Sequence, residues 1–260
     1  MSQLADRCTI GSDPELFLTN GKNAVSAIDK FPGTKQRPEK WKDGIMVQVD
    51  NCSVEYNTPI VVDRNDWIRA HLSAYQQIAD FASTKHHLNL AIVPSVIFPP
   101  EELQDARAWI MGCEPDFNAW TRQWNPKPQC NIEELRSAGG HVHIGGQFTE
   151  IEVIDLAKLA DMYIGVPSLL IDPDDRRREL YGKAGAMRFK PYGVEWRTGS
   201  NFWIQTEKRI GWVFDQVNRL LRALKEGQRA PAEVQEIINT GDRVGAAHFC
   251  AKHSLEICND

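Results

Sequence analysis

Residues 186–198 read Ala186-Met187-Arg188-Phe189-Lys190-Pro191-Tyr192-Gly193-Val194-Glu195-Trp196-Arg197-Thr198. Two short alternating stretches, 186–190 and 194–198, flank the turn Pro191-Tyr192-Gly193, which is the pattern of two strands. Strand side chains alternate between faces. Arg188 and Lys190 therefore pair on one strand face, and Glu195 and Arg197 pair on the next strand with Trp196 packing behind. Working outward, residues 140–145 form a short strand opened by paired glycines. Residues 45–59 read as a hairpin turning at Asp50-Asn51, and 10–19 as one strand with a polar interruption at Asp13-Pro14-Glu15. Another strand is expected over 90–98. Helical periodicity covers 66–83 with Asp66 as N-cap, 152–163 after a Thr149 cap, 206–225, and a last stretch at 232–239. Strands and helices both occur without regular βαβ alternation. The expected fold is therefore α+β, a mainly antiparallel sheet with helices on one face, in one domain spanning residues 1–260.

Composition narrows the function. The chain has 260 residues, 30 Lys and Arg against 35 Asp and Glu, and a net charge of −5. That balance argues against non-specific binding to nucleic acid or membranes, which need a positive field. The charge is uneven: between Arg176 and Arg197 lie seven Lys or Arg and only two acids. This segment is where an anionic substrate is expected. No secretory signal is readable at the N-terminus. The apolar run 88–100 is too short for a membrane helix and contains three prolines. Six scattered cysteines with no C-x-x-C pair exclude zinc fingers and redox motifs, and reduced thiols in a cytoplasm are the expectation.

Four segments put polar residues where strand cores belong. On a single strand Asp13 and Glu15 project side by side, and two adjacent carboxylates call for a divalent cation between them. The alternative is a solvated edge strand with an Asp-Pro turn. In 49–57, Glu55 shares a face with Asn57 and is a metal candidate. Asp50 counts out of phase with Glu55 and falls at the turn, where an Asx residue can act as a cap alone. Gly139-Gly140-His141-Val142-His143-Ile144-Gly145-Gly146 places two imidazoles on one side between glycines that allow close approach. Such imidazoles bind metal when neutral or phosphate when protonated, unless they are simply exposed on an edge strand. Arg188, Lys190 and Arg197 suit carboxylate or phosphate, with Glu195 as a salt-bridge partner or a metal ligand. The Trp-rich stretch 111–129, with Cys113, Glu114 and Asp116, is either an acceptor-recognition segment or a loop packed by its tryptophans. His86, His87, His248 and His253 have no glycine or acidic context and are expected at the surface.

Taken together, the segments GSDPELFL, DNCSVEYNTP, GCEPDFNAW, GGHVHIGG and YGKAGAMRFKPYGVEWRTG resemble blocks of the phage-associated type 2 COOH–NH2 ligase family. They cover most of the chain from Gly11 to Gly199. Their order resembles the wider glutamine synthetase and glutamate–cysteine ligase superfamily. The resemblance implies a curved catalytic sheet carrying the active site on the face opposite its helices. It implies ATP and two or more Mg2+ or Mn2+ ions as cofactors, with small-molecule or peptide carboxylates and amines as substrates. Nucleic acid and membranes are not implied as partners, and a homo-oligomer is left open. By the same resemblance Asp13 and Glu15 each serve one ion, and Glu55, His141 and Glu195 are further metal ligands. His143, Arg188, Lys190 and Arg197 contact phosphate, and Arg188, Arg197 and Glu195 act at the reacting centre. The chain departs from the superfamily in opening its acid pair with Asp13 and in showing one clear acid, Glu55, on the second acidic strand. It also lacks an obvious separate N-terminal domain.

The implied reaction is ATP-dependent amide formation through an acyl phosphate, in the host cytoplasm if the gene is phage-borne. A guanidino-kinase-like phosphotransferase would need the same residues, and a non-catalytic nucleotide-binding protein would keep the pocket without turnover.

Overall fold

A computed structural model describes residues 8–110, 116–126, 131–172 and 175–259, apart from the side chain of Glu179. Its first half runs β1 (Thr9–Ser12), β2 (Glu15–Thr19), β3 (Ala24–Val25), β4 (Glu39–Lys40), β5 (Met46–Asp50), β6 (Ser53–Asn57), helix α1 (Arg64–His86), β7 (Asn89–Ala91) and β8 (Ser95–Ile97). Then follow β9 (Phe117–Asn118), β10 (Gln123–Trp124), β11 (Leu135–Ser137) and β12 (Val142–Gly145). The remainder is α2 (Glu150–Ala160), α3 (Val166–Ile171), α4 (Arg176–Leu180), β13 (Ala186–Lys190), β14 (Gly193–Trp196), α5 (Glu207–Lys225), α6 (Glu233–Thr240) and α7 (Arg243–Lys252).

The mixed α+β expectation holds, but the strands do not form one sheet. One six-stranded sheet has the order β1-β12-β14-β13-β9-β10. A second has the order β3-β2-β6-β5-β4 with β7 also paired to β2, and β11 and β8 form a separate pair. The paired strands are antiparallel throughout these sheets.

The split begins at Asp13-Pro14. Proline lacks the N–H a ladder needs and restricts the residue before it. The single strand expected over 10–19 therefore breaks there, with β1 pairing β12 and β2 pairing β6. Pro94 falls between β7 and β8 in the same way and sends them to different sheets, where one strand was expected over 90–98.

Helices cover one face of the first sheet. Val142, Ile144, Met187, Val194 and Trp196 point into a core they share with α2 and α5, each with 1% exposure or less. The intervening His143, Arg188, Lys190 and Glu195 take the other face, as strand alternation requires. Helix ends follow local chemistry. Thr149 and Glu152 form a reciprocal capping box on α2, and Thr206 accepts from the Arg209 N–H at the start of α5. Helix α1 starts earlier than the periodicity suggested: Asp63, not Asp66, caps it by accepting from the N–H groups of Asn65 and Asp66. Between α2 and α3 the helix widens into a π turn at Asp161–Gly165. Helix α7 has no counterpart in the sequence reading; its apolar positions Ala246, Phe249 and Cys250 make too narrow a stripe to mark a face.

Candidate active site

The two sheets meet where the chain crosses between β1 and β2. The Glu15 N–H donates to the Gly139 carbonyl at 3.0 Å, and the Gly139 N–H donates back to Glu15 Oε2 at 2.8 Å. The acids expected side by side on one strand face thus separate, and each enters a different cluster.

The first cluster is Asp13, His143 and Glu195, whose nearest donor atoms lie within 4.8 Å of one another. Asp13 Oδ1 is 3.1 Å from His143 Nε2 and 3.2 Å from His141 Nδ1. Both imidazoles therefore reach the same carboxylate. Burial pushes the Asp13 carboxyl up, but His143 and His141 outweigh it and hold it well below the usual range. His143 is raised by Asp13 against the effect of burial, and Tyr192 Oη sits 2.7 Å from its Nδ1. Burial, then Arg197, lowers His141. His141 Nδ1 lies 3.8 Å from Glu195 Oε1 and 3.2 Å from Arg197 Nη1, so this imidazole flanks the triad that His143 completes.

The second cluster is Glu15, Asp50 and Glu55, again within 4.8 Å. Glu15 and Glu55 sit directly opposite each other in the β2–β6 register. Like charges in that position repel. Burial, then Asp50, pushes the Glu15 carboxyl up to about 7. Burial, then Asp13 and Asp50, raises Glu55 well above the usual range. Asp50 joins because the hairpin turns at Asn51-Cys52: Gln48 faces Glu55 and Asp50 faces Ser53, so Asp50 and Glu55 share a face. Counting along one continuous strand put them out of phase. Across a two-residue turn, facing positions differ by an odd number, which reverses that count.

Basic side chains stand beside the first cluster. Lys190 Nζ is 2.6 Å from Glu195 Oε2, Arg188 Nη1 is 3.8 Å from Oε1, and Arg197 pairs closely with Oε1. Burial raises the Glu195 carboxyl, but Arg197 and the histidines bring it down to about 2. Asp116 binds Arg197 Nε at 2.8 Å and approaches Arg188 Nε at 3.5 Å. Two clefts open on this array. One, about 710 Å3 with its open mouth counted, includes Glu15, Asp50, His141, Arg177 and Arg197. The other, about 1130 Å3 with its open mouth counted, includes Asp13, Lys35, Glu55, His143, Arg188 and Lys190.

The β13–β14 hairpin is held in place from behind by Asp161 in the π turn. Its buried carboxylate accepts from Trp120 Nε1 at 2.7 Å, the Gly185 N–H at 2.6 Å, and Trp196 Nε1 and Thr198 Oγ1 at 2.8 Å each. Another link is the buried chain Ser12–His71–Tyr56, with His71 Nε2 3.3 Å from Ser12 Oγ and Nδ1 2.8 Å from Tyr56 Oη.

Lys35, His71 and Asp161 escaped sequence reasoning, and Arg177 was marked only as part of the basic segment 176–197. His71 had a signal: it is four residues after Trp67 and three before Ala74, on the buried stripe of α1. Cys113 and Glu114 lie outside the described residues. Trp120 of the same stretch packs structurally, through Asp161, whereas Asp116 faces the site. His248 and His87 are exposed, as expected.

No curated protein matches the chain in sequence. A solved bifunctional glutathione synthetase from Pasteurella multocida overlays it with 10% sequence identity and a TM-score of 0.43, covering 96% of this chain and 49% of that one. The chain thus spans about half the length of that protein, and at that score the likeness carries no functional argument. Neither comparison supports the wider placement with glutamine synthetase. Residues 134–242, which carry His141, His143, Arg188, Lys190, Glu195 and Arg197, match the family model described as Phage phiEco32-like COOH.NH2 ligase-type 2.

Proposed function

We propose that the protein is an ATP-dependent carboxylate–amine ligase that forms an amide through an acyl phosphate, with residues 1–260 acting as one catalytic unit. The observation that carries this reading is the pair of acid clusters, Asp13–His143–Glu195 and Glu15–Asp50–Glu55, converging from two sheets beside Arg188, Lys190 and Arg197. The match over residues 134–242 to a COOH.NH2 ligase model supports it.

The donor set fits Mg2+ or Mn2+. Hard carboxylate oxygens with one imidazole suit those ions. The opposed Glu15, half-buried, and Glu55, buried, also form an array that a divalent cation would neutralise. Asp13, His143 and Glu195 would hold one ion and Glu15, Asp50 and Glu55 the other. When bound, such ions neutralise the triphosphate and polarise the transferring phosphoryl group.

A substrate carboxylate oxygen attacks the γ-phosphorus, the bond to the β-phosphate oxygen breaks, and ADP leaves. The amine nitrogen then attacks the acyl carbon, phosphate departs with the C–O bond electrons, and the nitrogen loses a proton. Arg188, Lys190 and Arg197 bind phosphate oxygens and offset charge developing on them, which fixed cations do at no reorganisation cost. Arg197 is set for this by Asp116 at its Nε and by the backbone bond from its N–H to the Ala186 carbonyl at 2.9 Å. His141, between Asp13 and Arg197, holds those two side chains in register.

The test is ATP turnover with candidate carboxylates and amines, followed by mass analysis of products. Glu195→Gln and His143→Ala should each abolish Mg2+-dependent ATP consumption. Full retention in both would mean that the metal site is misassigned.

A further inference from the structure

The acids of the second cluster already face a positive charge supplied by the chain itself. Lys35 Nζ lies 2.5 Å from Asp50 Oδ2, and its field opposes the upward shift of both Glu15 and Glu55. An ordinary exposed Lys–Asp pair contributes little and can be arranged in many ways. This one is built. Lys35 sits in a tight turn closed by Thr34 N–H to the Arg37 carbonyl at 3.1 Å and Arg37 N–H to the Thr34 carbonyl at 2.9 Å. The turn is docked on β5, one residue before Asp50, by the Val49 N–H donating to the Gly33 carbonyl at 3.2 Å. Gly33 has φ +82°, and a Cβ there would meet the Val47 carbonyl oxygen at 2.3 Å, so only glycine allows this approach.

Lys35 also lines the larger cleft, together with Arg188 and Lys190. Its side chain is 38% exposed, while its partner Asp50 is 14% exposed. The ammonium can leave the cluster without rearranging the core, because it ends a flexible four-carbon stem.

We infer that Lys35 is a tethered counter-ion of the Glu15–Asp50–Glu55 cluster, displaced when a divalent cation takes Asp50 and then available to bind a nucleotide phosphate in the larger cleft. A divalent ion and an ammonium held at the same Asp50 Oδ2 repel each other, so the lysine and the metal compete. Once released into a cleft walled by Arg188 and Lys190, the ammonium adds a third positive charge for a polyphosphate. This inference deepens the ligase reading and rests on it only for the identity of the phosphate-bearing ligand.

The experiment compares the full chain with Lys35→Met and Lys35→Arg by titration calorimetry, using Mn2+ alone and then a non-hydrolysable ATP analogue with Mn2+ present. Lys35→Met should bind Mn2+ about tenfold tighter when no nucleotide is present, the scale on which neighbours of metal ligands act. It should bind the analogue about tenfold more weakly, the loss expected for one charged hydrogen bond. Lys35→Arg should stay near wild type in both. A lysine serving only as a surface ion pair would move neither affinity. Unchanged or weaker Mn2+ binding by Lys35→Met, or unchanged binding of the analogue, overturns the inference. Neither titration needs turnover, so opposed shifts in a protein that makes no amide would refute the ligase reading and keep this one. Normal ligation without the shifts would do the reverse.

Discussion

Adding one methyl group at Gly140 should cost the protein far more than adding one at Gly11, although both glycines border the same site. Neither has a positive φ, so the difference is one of space. A Cβ at Gly140 would meet the Ser200 carbonyl oxygen at 2.2 Å and Trp203 Nε1 at 2.5 Å. The first contact is backbone and cannot rotate away. Relief would also pull on the Trp203 Nε1–Gly140 carbonyl bond of 3.0 Å and the Gly140 N–H bond to Gly199 of 3.1 Å. Overpacking costs about 1–3 kcal/mol and a weakened hydrogen bond about 1 kcal/mol. Against this, Gly→Ala gains about 0.4–1 kcal/mol by restricting the unfolded chain. The net loss for Gly140→Ala is about 2–3 kcal/mol, which at this chain length lowers Tm by roughly 5–10 °C. At Gly11 the nearest atoms to a new Cβ are Thr58 Oγ1 at 3.9 Å and His143 Cβ at 4.0 Å, ordinary contacts. Gly11→Ala should therefore leave stability unchanged or raise it by a few tenths of a kcal/mol. Urea titrations and thermal scans on the metal-free protein decide between these outcomes. Equal stability of the two variants would refute the packing of Gly140 against the 199–203 segment.

Glu55→Gln removes one of the opposed acids, so in chelator the variant should be at least as stable as wild type, while the rise in Tm caused by Mg2+ should disappear; a variant that is destabilised in chelator yet still responds to Mg2+ would contradict the cluster. Asp161→Ala leaves the indole N–H groups of half-buried Trp120 and buried Trp196 without acceptors and should cost about 3 kcal/mol, read from urea midpoints. His71 gives a pH signature. Burial lowers its pKa to about 3, so the fold keeps it neutral while the unfolded chain protonates near 6.5. Its contribution is complete above about pH 6.5 and falls as pH drops toward 3, at up to about 1.4 kcal/mol per pH unit. His71→Gln should flatten that part of the stability profile, measured as the difference in slope between the two proteins from pH 6.5 to 4.

The parts of the fold legible in the sequence are those governed by local rules. The Thr149 cap, the 45–59 hairpin, the 186–198 hairpin and the α5 stripe all rest on neighbours within a few residues. Whatever depended on pairing partners escaped. The Asp13-Pro14 break was visible as a polar interruption, yet a residue string does not say that the two halves enter different sheets. Asp50 was miscounted because its phase is set across the turn and not along the strand. Asp161 looked like one acid on an amphipathic helix; its four donors come from residues as far away as 120 and 198. Lys35 is an ordinary surface-type residue in sequence and Arg177 one of a basic run, and only the docking of the 33–37 turn and the short helix α4 brings them to the clefts. The site residues proposed from sequence gather around one array, in which His141 and His143 both lie against Asp13 and His143 forms a triad with Asp13 and Glu195.

The central claim is activation of a carboxylate by the γ-phosphoryl of ATP between the two acid clusters. It is tested most directly by supplying a substrate acid labelled with 18O in its carboxylate and following phosphorus NMR during turnover. Transfer of one 18O from the carboxylate into inorganic phosphate, with unlabelled ADP as the other product, is the predicted result. Label appearing in AMP, or phosphate released with no label while amide forms, would contradict the account.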